Sequence, residues 1–168
     1  MELSGFLLKL SETALRAIIK TTNASIRTHD EHNVPDGPVV FVINHFTRIE
    51  TMFLPYIIKK VTGRAPLSLA FHEFFAGGFG KLLNKLGAIS THEPDKNRIM
   101  TAELLTGGLP IIIYPEGQMI KDKKIIEKGK YMIYNAGIRR PPHSGAALLA
   151  LRSQFYREKI RHFLRSGN

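Results

Sequence analysis

The chain has no cysteine among its 168 residues, which removes disulfides, thiolate metal sites and a cysteine nucleophile from consideration. Such a fold needs no oxidising compartment, and a cytoplasmic location is expected. No apolar run approaches the roughly 18 uninterrupted residues of a membrane-spanning helix. The N-terminus opens on Met1-Glu2 with no cleavage pattern after its apolar stretch, so no signal peptide is expected. Acidic side chains are scarce in one half only. Residues 117–168 hold 12 basic side chains against Asp122, Glu127 and Glu158, whereas residues 1–116 are nearly balanced at 12 basic and 11 acidic. An anionic partner is therefore expected at the second stretch. Nucleic acid, an anionic membrane, a phosphorylated substrate and an acidic carrier protein all carry the right charge. The basic half lacks a nucleic-acid reading motif and an aromatic stacking platform, so nucleic acid is not the expected partner.

What remains is an ordinary globular composition, 43% apolar, in a length suited to one domain with a real core. Residues 3–22 carry apolar side chains at helical spacing, with polar residues between them. This amphipathic helix either packs on its own domain or lies in a membrane interface. Residues 29–38, with Asp-Gly and two prolines, read as a loop. An alternation follows: strands over 39–43, 66–71, 88–91 and 109–114, with helices over 49–61, 74–86 and 96–105 between them. Pro55 is expected to kink or delay the first of these helices, Gly77-Gly78 to interrupt the second, and Asp95 and Gly107-Gly108 to bound the third. Residues 117–142 read as a basic, loop-like stretch, and a last helix is expected over 144–164. The pattern predicts an α/β fold, a mainly parallel sheet flanked by helices with an N-terminal amphipathic helix. The expected division is a helix and linker over 1–34 and one catalytic domain over 35–168.

Sites in parallel α/β sheets collect at the carboxyl ends of the strands. The first strand runs into VVFVINHFTRIE, placing His45 just past the strand and Glu50 in the first helical turn beyond. The fourth runs into LPIIIYPEGQMIKDKK, placing Glu116 and Gly117 at an equivalent edge. A histidine beside a carboxylate is the minimal general-base unit, because the carboxylate fixes one ring nitrogen and leaves the other to accept a proton. No Gly-x-Ser-x-Gly nucleophile is present, so the expected target is a substrate hydroxyl. No second histidine stands nearby at ligand spacing, so a metal is not expected.

Asn44-His45, four intervening residues and a carboxylate, followed about seventy residues later by Tyr114-Pro115-Glu116-Gly117, resembles the glycerol-3-phosphate and lysophosphatidic acid acyltransferase family. The resemblance covers about residues 35 to 151, with GAISTHEPDKNR at that family's middle motif and HSGAALLAL at its later helix. It implies transfer of an acyl group from acyl-CoA or an acyl carrier protein, as co-substrate and without a cofactor, to a hydroxyl of a glycerol-phosphate lipid. His45 would be the base, Glu50 its orienting partner, and Asn44 with amides near Gly117 candidates for the oxyanion. Glu116 and Gly117 would shape the acceptor pocket. The family normally has Asp at the position of Glu50, Arg at Glu93, and Thr-Arg at Gln118-Met119, so Arg98, Lys121, Lys123 and Lys124 are left as the candidate phosphate contacts. The resemblance further implies a peripheral enzyme on the inner face of an anionic membrane, touching it through the N-terminal helix and phenylalanines such as Phe46, Phe74, Phe75 and Phe79. The departures leave open a non-catalytic lipid- or carrier-binding domain of the same fold. No further apolar strand follows the last helix, and an open sheet edge is a feature proteins usually avoid. The chain is accordingly expected to be an N-terminal fragment whose domain is incomplete.

Overall fold

The computed structural model describes residues 3–45, 47, 50–117, 126–127, 129–135 and 138–167. Four short strands, β1 (Val40–Val42), β2 (Leu67–Ala70), β3 (Ala88–Ser90) and β4 (Ile111–Ile113), form one parallel sheet in the order β1-β4-β2-β3. Helices α2 (Glu50–Thr62), α3 (Phe79–Lys85) and α4 (Lys96–Thr106) connect them, preceded by α1 (Gly5–Thr21) and followed by α5 (Gly145–Ser166). The crossovers through α2 and α3 step the same way across the sheet, while that through α4 steps back. Right-handed connection therefore puts α2 and α3 on one face and α4 on the other. α5 packs beside α4.

The strand residues explain this two-sided cover. Ile111, Ile112 and Ile113 are all buried, so β4 is apolar on both faces, as a central parallel strand must be. Ile111 and Ile113 join Leu67, Ile89, Met100, Leu104, Ala146 and Leu149 in the core beneath α4 and α5. On the other side α1 is tied to α2 by the Glu12–Lys59 ion pair and by Arg16 over the Tyr56 ring. Ser4 caps α1, its hydroxyl accepting from the Leu7 amide at 3.3 Å. Packing on the domain, with Leu15 buried, is thus one use of α1, although Phe6, Leu10 and Ile18 on it stay exposed.

Three expectations need correction. The helix expected over 74–86 is two pieces, a 3-10 turn at His72–Phe75 and α3, because Gly77 adopts a left-handed φ of +67° that a continuing α-helix excludes. Pro55 neither delays nor ends α2, which runs from Glu50 to Thr62 with the proline inside it, so the Thr51 carbonyl goes without its usual i+4 donor while the helix continues. Within the stretch expected to be loop, β5 (Ile126–Glu127) pairs with β6 (Lys130–Tyr131) and β7 (Ile133–Asn135) with β8 (Ile138–Arg140), both antiparallel. Asp95 does precede α4, but its carboxylate grips Arg98 and makes no cap hydrogen bond. Gly107, left-handed, closes that helix.

At the amino edge of the sheet Arg64 binds carbonyls of both loops that enter β1 and β4. Its guanidinium donates to Gly37 O at 2.8 Å, to Gly108 O at 2.8 Å and to Gly107 O. A planar fork meets three acceptors in a way an ammonium does not. Arg64→Lys is expected to destabilise the fold by about 1–3 kcal/mol, read as a lower urea midpoint at unchanged slope.

Candidate active site

β1 delivers its C-terminal residues directly against β4. The Ile43 amide extends the ladder by donating to Ile113 O at 3.1 Å, so the residues after each strand emerge side by side. His45 Nδ1 lies 2.5 Å from Glu50 Oε1, both side chains about one-fifth exposed (20% and 19%). A carboxylate only accepts, so Nδ1 carries the proton and Nε2 is left as the acceptor nitrogen of the ring. Glu50 is the first residue of α2, where the helix dipole favours its negative charge. From the neighbouring strand the Tyr114 ring packs on the imidazole at 4.6 Å between centroids, tilted by 34°. Burial, and then the charge of Glu50, push the Tyr114 hydroxyl up to about 12, against a smaller opposite effect of its hydrogen bond with the Thr51 side chain. The phenol therefore stays neutral, a rigid wall that confines the base.

The four residues after β4 form a tight turn. The Gly117 amide donates to Tyr114 O at 3.0 Å, so it is already engaged and does not serve as a free oxyanion donor. Glu116 is completely buried, and its carbonyl accepts from Arg140 Nη2 at 2.7 Å. The His143 amide donates to Pro115 O at 2.8 Å, which brings the start of α5 onto the turn. Gly117 is constrained twice over. Its φ is +67°, and a Cβ there would stand 3.1 Å from His143 Cδ2.

The other candidates distribute unevenly. Asn44 is exposed beside His45. Arg98 lies on the first turn of α4, beyond β3 at the opposite margin of the sheet, roughly three strand spacings or ~14 Å from β1 in the sheet plane. Its guanidinium is exposed and engaged by Asp95 at 2.9 and 3.1 Å, a pairing that raises its pKa further. Lys121, Lys123 and Lys124 lie outside the described residues, as does Phe46. Phe74 and Phe79 are exposed, whereas Phe75 is half-buried.

Several residues of this edge were not singled out by sequence reasoning. Arg140 and His143 clasp the turn. His72 and His92, each two residues past the end of β2 or β3, stack at 3.6 Å with only 9° between their planes. Their position just past strand ends is the same signal that marks His45, so the rule was available. The described residues contain no group of three or more His, Cys, Asp or Glu that could hold a metal. Beside the turn runs an open apolar groove of about 470 Å³, walled by Val40, Val42, Pro115, His143, Ala146 and Ala150.

A histidine held by a carboxylate at one strand end, a Pro-Glu-Gly turn at the next and an apolar groove alongside lie together on one edge of the sheet. The match to a family model settles the class: the model described as Acyltransferase covers residues 25–157. The chain belongs to the acyltransferase family. Comparison with curated proteins returns no match. In this acyltransferase the mainly parallel α/β sheet expected from the sequence is present, and its carboxyl edge gathers His45, Glu50 and Tyr114 into one contact group.

Two measurements check the geometry. Gly117→Ala is expected to destabilise the turn by about 1–2 kcal/mol, through left-handed strain and the His143 contact, and to lower the thermal midpoint. In alkaline titration followed by phenolate absorbance, one of the five tyrosines is expected to ionise near pH 12, and that late step to disappear in Tyr114→Phe. Because this raised pKa favours the neutral phenol in the fold, its stabilisation is complete below the unfolded value of 10.0 and is lost as pH rises through about 12.

Proposed function

We propose that this acyltransferase moves a fatty acyl group from a thioester donor to a hydroxyl of a glycerol-phosphate lipid, with His45 as general base. The observation that carries this reading is the His45–Glu50 hydrogen bond, which fixes the tautomer and leaves Nε2 to accept a proton, on a ring packed against Tyr114. The acceptor O–H donates its proton to Nε2 as its oxygen attacks the thioester carbonyl. The new C–O bond forms, the tetrahedral oxyanion collapses, the C–S bond breaks, and the departing thiolate takes the proton from the imidazolium. No acyl-enzyme forms and no cofactor is needed.

Glu50 also stabilises the imidazolium as it develops. The Asn44 side chain is the candidate oxyanion donor, since the Gly117 amide is already bonded. The groove along β1 and α5 suits an acyl chain, its alanines leaving room where larger side chains would fill it. Glu116 and Gly117 support the acceptor side through the turn they build, with Lys121 and Lys123 as phosphate contacts and Arg98, held by Asp95 at the far margin, not among them. Acyl-CoA and acyl carrier protein are both anionic and match the basic second half of the chain. The setting is cytoplasmic, on the inner face of an anionic membrane.

The test is a transfer assay crossing acyl-CoA and acyl carrier donors with glycerol-3-phosphate and lysophosphatidic acid. His45→Ala is expected to lower kcat/KM at least about hundredfold, and Glu50→Gln to lower it less. Equal transfer by His45→Ala and the parent would falsify the base assignment and favour a lipid- or carrier-binding domain. Ala150→Phe, which fills the groove, is expected to slow long-chain donors about tenfold more than short-chain ones.

A further inference from the structure

α5 combines two features that ordinary packing does not use. Among the described residues, seven strongly exposed large apolar side chains belong to this one helix: Leu148, Leu151, Phe155, Tyr156, Ile160, Phe163 and Leu164. It also carries Arg152, Arg157, Lys159, Arg161 and Arg165 against the single acid Glu158.

Helical spacing sorts the apolar residues into two groups. Ala146, Leu149 and Ser153 face the core and are buried. Leu148, Leu151 and Phe155 form a stripe on the side turned away from it, Leu151 69% exposed, and Phe163, 75% exposed, stands at its margin. Tyr156, Ile160 and Leu164 continue the core-facing side, but there the helix has run out of neighbour. The Arg157 guanidinium donates to Leu104 O at 2.7 Å, near the last turn of α4, so the turns of α5 after Arg157 project past that end.

The charges are placed to match. Lys159 Nζ sits 4.7 Å from the centre of the Phe155 ring and Arg152 is 5.6 Å from that of Tyr156. Lys159 thus lies against an aromatic ring of the stripe and Arg152 against the half-exposed Tyr156. The opposite arc carries Gln154, Arg157, Glu158 and Arg161. Apolar side chains flanked by cations fit the boundary between acyl chains and anionic headgroups. Two copies of this basic helix face to face would set like charges against each other, which disfavours a second chain as the occupant.

We propose that α5 is a docking helix for an anionic lipid surface, lying in the plane of the headgroups with Leu148, Leu151, Phe155 and Phe163 inserted. This contact is separate from the one expected through α1, which is tied to α2 on the other face of the sheet. The binding itself does not depend on the acyl-transfer reading. Its use does, because Ala146 and Ala150 of the same helix wall the groove beside His143. No helix among the described residues is long and apolar enough to cross a membrane, so the contact is peripheral.

Vesicle flotation of the full chain, without acyl donor, tests the idea. The parent should float with phosphatidylcholine vesicles containing phosphatidylglycerol, and much less with phosphatidylcholine alone or at high salt. The double variant Leu151→Glu and Phe155→Glu should weaken partitioning about hundredfold while keeping the parent's circular dichroism, since both side chains are exposed. Arg152→Glu with Lys159→Glu, the cations beside the exposed aromatic rings, should weaken it through charge alone. His45→Ala should float like the parent, which separates failure of this proposal from failure of the catalytic one. Parent protein that ignores anionic vesicles overturns the proposal. So does binding lost in Phe6→Glu with Leu10→Glu but kept in both α5 variants, or α5 variants that only abolish self-association in light scattering.

Discussion

The parallel pairing of β1 with β4 is the constraint on which the site depends. Val40, Phe41 and Val42 stand opposite Ile111, Ile112 and Ile113, and one further hydrogen bond from Ile43 carries the register to the ends of both strands. His45 and Tyr114 come from positions about seventy residues apart, and this register is what makes their rings neighbours. A slip of one residue would exchange the two faces of β1 and pull Val40 from its packing against the core, so the register that stabilises the sheet also sets the place of His45. The Ile111–Ile113 strand, buried on both faces, makes such a slip costly.

Much of this was legible because it depends on local pattern. Four apolar runs separated by helical periods announce a parallel sheet, and unusual polar sequence after the first and fourth marks the site edge. The spacing of His45 and Glu50 across a strand-to-helix turn gives their hydrogen bond almost directly. Less legible were features made by distant chain segments. The breaking of the 74–86 helix follows from a backbone angle at Gly77, and glycine pairs are tolerated in other helices. Arg140 and His143 lie in a stretch without periodicity, and only the fold brings them onto the Pro115–Gly117 turn. Arg98 is a basic residue in a plausible motif, yet the strand order β1-β4-β2-β3 puts it at the far margin of the sheet. Sequence spacing carried no information about that order.

The charge asymmetry of the chain also takes a spatial form. Among the described basic residues of the second half, Arg140 braces the turn through the Glu116 carbonyl and Arg157 closes the end of α4. These two are structural cations, each satisfying a backbone acceptor that would otherwise need water. Net charge alone therefore overstates what is left for a partner. Lys159 and Arg152 differ from them, because what they contact is exposed aromatic surface.

Arg64 has a mechanical consequence. By gathering carbonyls of the loops that enter β1 and β4, it joins the two strands at their amino ends like the arms of tweezers. Each arm is only three residues long, about 10 Å, so a relative tilt of a few degrees moves the tips by roughly half an ångström. Short arms on a firm joint leave His45 and Tyr114 little room to drift apart.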